Sequence, residues 1–102
     1  MKILTQSVNF NADRSLISFT QKKIGSIIKY HDNITGVEIF FKVQKTSDKK
    51  NKITEVKINL PGGEFIVKKE TKSFEEGVNL SIFSLKRQLK KFKEKQRVLL
   101  VS

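Results

Sequence analysis

Residues 73–93 read SFEEGVNLSIFSLKRQLKKFK. Ser73 followed three residues later by Glu76 is a capping box, in which each side chain serves a backbone N–H that the first helical turn leaves unpaired. Phe74, Val78, Ile82, Leu85, Leu89 and Phe92 then recur at intervals of four and three, which places them along one side of a helix. At about 1.5 Å per residue, a helix from Phe74 to Lys95 spans roughly 33 Å. A long helix with a single apolar stripe needs an apolar surface to lie on, and the rest of the chain must supply it.

The upstream residues read as strands. From Gly36 to Lys45 the pattern alternates: Val37, Ile39, Phe41 and Val43 face one way, and Glu38, Phe40, Lys42 and Gln44 the other. That is a strand with one buried face. The polar run 46–52 is a hairpin loop. Ile53 to Leu60 forms the next strand, with Val56, Ile58 and Leu60 in phase. Pro61-Gly62-Gly63 is a tight turn, because Pro presets φ and Gly permits φ > 0. Glu64 to Thr71 follows as a fourth, shorter strand, and Lys2 to Phe10, rich in β-branched residues, opens the chain as a first.

Between the first two strands, Leu16, Ile17, Thr20, Ile24, Ile27 and Ile28 fall on a second helical stripe. Asn11 is the expected cap of this helix and Tyr30 its approximate end. Gly25 inside it costs roughly 1 kcal/mol relative to Ala.

The order is therefore β-α-β-β-β-α. Three hairpin-linked strands form an antiparallel meander, and the first strand joins in parallel through a right-handed crossover. Each helix has one stripe, so both pack on the same side. The fold class is α+β, a four-stranded mixed sheet with two helices on one face. Residues 1–95 form the domain and 96–102 a short C-terminal tail.

Composition sets bounds on function. At 102 residues the chain is one domain. Leu, Ile, Val and Phe fill about a third of it, above the level at which charged chains stay disordered. There is no cysteine, so disulfides, thiolate metal sites and a Cys nucleophile are excluded, which fits a reducing compartment. The longest aliphatic run, Val98-Leu99-Leu100-Val101, is far short of a membrane span. Met1-Lys2-Ile3-Leu4 runs directly into polar residues without the form of a signal peptide. The expectation is a soluble, cytoplasmic protein with no membrane partner.

The formal charge is +11, from 21 basic and 10 acidic residues. Such a field draws polyanions. Between Ile82 and Arg97 seven cations stand against one acid, Glu94. Lys86, Arg87, Lys90, Lys91 and Lys93 fan across the helix away from its apolar stripe, with Lys95 and Arg97 following. The bland reading is a solvated helix face. Solvated faces, however, interleave Glu with Lys at i,i+4, because such pairs attract. Lys86/Lys90 and Arg87/Lys91 are like-charge i,i+4 pairs that weaken an isolated helix, so a polyanion partner accounts for them better. Lys22 and Lys29, with Lys23 at the flank, add cations to the first helix. Lys49, Lys50 and Lys52 read as a solvated loop, with an outlying contact as the alternative.

Catalytic and cofactor signals are missing. Pro61-Gly62-Gly63 lacks the context of a phosphate-binding loop. His31, the one histidine, has no Cys or second His to complete a metal site. Glu75 and Glu76 are accounted for by capping and the helix dipole. Phe40 either stacks a base on the open sheet face or packs across strands. No acid–base pair or nucleophile assembles, so the expectation is a protein that is not an enzyme, with no catalytic residue, metal, cofactor or small-molecule substrate.

Several segments together resemble one family. Leu85-Lys86-Arg87-Gln88-Leu89-Lys90-Lys91-Phe92-Lys93 is similar to the L-x-R-Q-L-x-K-x-K helix of the ribosome hibernation-promoting factors, which include the ribosome-associated inhibitor A proteins and were once called sigma-54 modulation proteins. Asn59-Leu60-Pro61-Gly62-Gly63 resembles their turn before the last strand, Lys72-Ser73-Phe74-Glu75-Glu76 their entry to the last helix, and Ala12 to Tyr30 their first helix. The resemblance covers about residues 1–95.

It implies binding to the small ribosomal subunit between head and body. The bound factor occludes the path of mRNA and of the A- and P-site tRNAs, so that translation stops and idle ribosomes are protected in stress and stationary phase. Matched by position, the rRNA-binding residues would be Lys22, Lys23, Lys29, Lys86, Arg87, Lys90, Lys91 and Lys93, with Lys95 beside them. Gly77 departs from the pattern, standing where a good helix former is expected. The chain ends at Ser102 and so resembles the short form of the family; the expectation is that joining two ribosomes needs a separate dimerisation factor or does not occur. Two other readings remain open: a general double-stranded RNA-binding domain, and a regulator that docks an acidic protein.

Overall fold

The computed structural model describes the backbone of residues 2–8, 12–29, 31, 33–44 and 51–101, and their side chains except those of Lys2, Val8 and residues 95–101. Six elements follow in order: β1 (Lys2–Val8), α1 (Arg14–Ile28), β2 (Gly36–Val43), β3 (Lys52–Leu60), β4 (Gly63–Thr71) and α2 (Phe74–Val101). The sheet order is β1-β2-β3-β4. β1 lies parallel to β2, and the other two pairings are antiparallel. The fold is the expected α+β arrangement.

Alternation sets the register. Val37 stands beside Ile58, and Ile39 beside Val56 and so Val67. These side chains share one face with Phe41 and Leu60 and are all buried. Leu16, Ile24 and Ile27 of α1 and Val78, Ile82, Leu85 and Leu89 of α2 join them in one core, so both helices cover the same face. The Phe41 and Phe74 rings meet edge to face at 5.1 Å, which ties the start of α2 to the middle of β2. Phe65 and Phe92 do the same at 5.6 Å farther along.

Several boundaries differ from the sequence reading. The cap of α1 is Asp13, not Asn11; its carboxylate accepts from the Leu16 N–H at 2.8 Å. Asn and Asp cap equally well, and capping at Asp13 puts Leu16 in the first turn with its side chain in the core. Asn11, like Phe10, Tyr30 and the lysines of the 45–50 loop, lies outside the described residues. β4 is not short. It begins at Gly63, which pairs with Leu60, so Pro61 and Gly62 alone make the turn and Gly62 takes φ 87°. At α2, Ser73 Oγ accepts from the Glu76 N–H at 3.2 Å, as a cap should. The helix does not stop near Lys95 but continues to Val101. Gln, Arg, Val and Leu all permit helix, and no Gly or Pro stands there to end it.

Gly77 is explained by a close approach that the linear sequence hides. A Cβ at that position would lie 3.0 Å from the Thr54 Cβ and 3.1 Å from the Thr71 Oγ1, and would collide with the Thr54 Oγ1. Only glycine lets α2 settle this near β3 and β4. Gly77→Ala is therefore expected to destabilise the fold by about 1–3 kcal/mol through overpacking, despite the better helix propensity of Ala. Adding Thr54→Ala, which removes the opposing hydroxyl, is expected to recover part of the loss. Denaturant midpoints of the two variants check this, and a Gly77→Ala chain as stable as the parent would contradict it.

Candidate nucleic-acid interface

The molecule has two unlike outer surfaces. On the uncovered face of the sheet, charges of both signs interleave: Glu38 stands beside Lys57, and Glu55 beside Lys68. The Lys57 ammonium bonds to Glu64 at 3.2 Å and reaches Glu38 at 3.7 Å. The hydrogen bond and charge of Glu64, then the charge of Glu38, raise the Lys57 pKa above its ordinary 10.5. This face is largely compensated by its own groups. Phe40 is half-buried there, beside Lys42, Ile53, Glu55 and Lys68 around a depression of about 340 Å³.

The helical surface is built differently. Leu85 and Leu89 are fully buried and fix the rotation of α2 about its axis. That rotation leaves Lys86, Arg87, Lys90, Lys91 and Lys93 exposed. Among the described residues no carboxylate forms an ion pair with any of them; the ion pairs there are those of Lys57. Four same-sign groups on two successive turns repel one another; Glu94, one turn on from Lys90, is the single acid near them and makes no ion pair with them. Ser84, Arg87, Gln88 and Lys91 line a depression of about 260 Å³ along this flank.

α1 packs against α2. Its Lys22 and Lys23, and Lys29 at its C-cap, are also exposed. The Lys23 ammonium sits 5.6 Å from the centre of the Phe19 ring, a cation–π contact that steadies it at the flank. Eight of the nine cations singled out in the sequence thus stand exposed on neighbouring helices. The ninth, Lys95, lies on the α2 backbone, with its side chain outside the described residues.

Sequence reasoning passed over two further side chains on the same surface. Leu80 is 44% exposed and Phe83 is 62% exposed. Both fall outside the core stripe, and that mismatch was the available signal. Among the described residues no helix is long and apolar enough to cross a membrane, and no group of three or more His, Cys, Asp or Glu is placed to hold a metal.

A β-α-β-β-β-α domain with exposed cations on two helices that pack together offers a surface suited to a polyanion. Residues 3–97 match the model of the Sigma 54 modulation protein / S30EA ribosomal protein family, and the chain belongs to that family. It is 29% identical over 100 residues to a ribosome hibernation promoting factor of Pseudomonas putida, covering 98% of this chain and 94% of the relative. A ribosomal subunit interface protein from Coxiella burnetii has the same fold, with a TM-score of 0.81 and 26% identity over 92% of this chain and 99% of that one. The N-terminal domain of Thermus thermophilus Protein Y shares the fold at a TM-score of 0.73 and 19% identity, with coverages of 89% and 94%.

Proposed function

We propose that this chain is a ribosome hibernation factor that binds the small ribosomal subunit in the cytoplasm through the basic faces of α1 and α2. Lys22, Lys23, Lys29, Lys86, Arg87, Lys90, Lys91, Lys93 and Lys95 contact rRNA phosphates. The bound domain fills the path of mRNA and of the A- and P-site tRNAs, stops initiation and shields idle ribosomes in stress and stationary phase. No catalytic step is assigned to it.

The observation that carries this reading is the row of cations on α2 without ion-pair partners among the described residues. Phosphates neutralise such a row and release their condensed counterions, which supplies the binding free energy. The family supports the ribosome as the source of the phosphates. Occlusion is tested by loading purified small subunits with mRNA and initiator tRNA before the protein is added. Empty subunits are expected to bind it and loaded subunits to bind at least about ten-fold more weakly. Equal binding to both would contradict occlusion.

A further inference from the structure

Phe83 is misplaced for a core residue and well placed for another task. It is the most exposed of the large apolar side chains described, at 62%. An aromatic ring this exposed gains little of the stabilisation that burial in the core would give it. Its neighbours on the helix are Lys86 at i+3, Arg87 at i+4 and Lys90 at i+7, all on the same side and all exposed. Leu80 at i−3, itself 44% exposed, extends the apolar spot by one turn. The ring therefore lies at the head of the cationic row, in line with it. The other exposed large apolar side chains, Leu4 and Ile66, are on the sheet, in the register rows of Glu38 and Lys57, where no such row exists.

An aromatic ring aligned with cations that hold a phosphate backbone is the arrangement by which proteins bind unpaired nucleotides: the charges track the backbone and the ring stacks a base. A duplex keeps its bases inside and offers such a ring nothing to stack on. We propose that Phe83 is the stacking platform for one unpaired RNA base, whose flanking phosphates are held by Lys86, Arg87 and Lys90, with Leu80 packing the edge of the stack. This rests on the reading of α2 as an rRNA contact and sharpens it: the surface takes a single-stranded or bulged segment, not a uniform helix.

The two contributions separate experimentally. Stacking releases no counterions, whereas phosphate contacts do. Affinity of the full chain for purified small subunits is measured across a salt series for the parent, Phe83→Ala, Phe83→Leu and Phe83→Trp. Phe83→Ala is expected to weaken binding roughly 5- to 100-fold, the loss of one stacked base, with an unchanged salt slope. Phe83→Leu is expected to fail equally and Phe83→Trp to bind as the parent does. The chain contains no tryptophan, so the introduced indole is a lone reporter, and its fluorescence is expected to be quenched by subunits and by oligo(A) but not by a plain RNA duplex. Phe83 lies outside the core, and an unchanged melting temperature confirms that each variant is folded. Affinity of Phe83→Ala within two-fold of the parent overturns the proposal. So does full binding by Phe83→Leu, which would assign the spot to an apolar protein surface. A parent chain that does not bind small subunits defeats the ribosomal reading of α2 separately. Stacking is then decided by the Phe83→Trp indole: quenching by oligo(A) and not by duplex upholds it, and an unquenched indole overturns it.

Discussion

Replacing Lys86, Arg87, Lys90 and Lys91 together by Glu is expected to abolish binding to small subunits while leaving the fold intact. All four side chains are exposed, and none has an ion-pair partner among the described residues. The core residues between them, Leu85 and Leu89, are untouched, and Lys86/Lys90 and Arg87/Lys91 are like-charge pairs before and after the change. Thermal stability is therefore expected to move little. Binding changes greatly. Each lost phosphate contact removes roughly 0.7–0.9 of a released counterion, so four lost contacts weaken binding about a thousand-fold near 0.1 M salt, and reversed charge adds repulsion. Co-sedimentation with purified subunits, alongside a melt, reads both quantities. A folded variant that still co-sediments would place the contact elsewhere. The same four positions changed to Gln are expected to weaken binding less, which separates lost attraction from added repulsion.

Two other readings of the basic face make different forecasts. A general double-stranded RNA binder has equal affinity for a plain duplex and for subunits. A regulator of an acidic protein keeps its partner after nuclease treatment and loses the ribosome. Both would also suffer from the charge reversal, so these competitor and nuclease controls belong in the same experiment.

Much of the fold was legible because its signals are local. The four-three spacing from Phe74 to Phe92 and the alternation from Val37 to Val43 each report which side of an element is buried. Once the buried side of α2 was known, the opposite side had to carry Lys86, Arg87 and Lys90. What escaped depends on partners distant in sequence. Gly77 looks like a poor choice until Thr54 and Thr71 are seen beneath it. The contact of α1 with α2, which sets the two basic helices side by side, has no signature in either helix alone. The cap at Asp13 was missed because Asn11, two residues earlier, is chemically as good, and only the packing of Leu16 decides between them. Phe83 was passed over because attention to the stripe that fits a core hides the apolar residue that does not.

The second large effect is salt dependence, and it bears on the electrostatic mechanism most directly. Eight exposed cations on the two helices, each on a phosphate, give a log–log slope of affinity against salt of roughly −6 to −7. Raising salt from about 50 to about 200 mM then costs on the order of ten-thousand-fold in affinity. A fold that merely wears its charge for solubility, or docks through apolar contacts, has no such slope. The decisive measurement is the equilibrium affinity of the chain for purified small subunits across that salt range. A slope near −6 or −7, falling by about three when Lys86, Arg87, Lys90 and Lys91 are changed to Gln, is the predicted result. Tight binding that hardly changes across the range would contradict it.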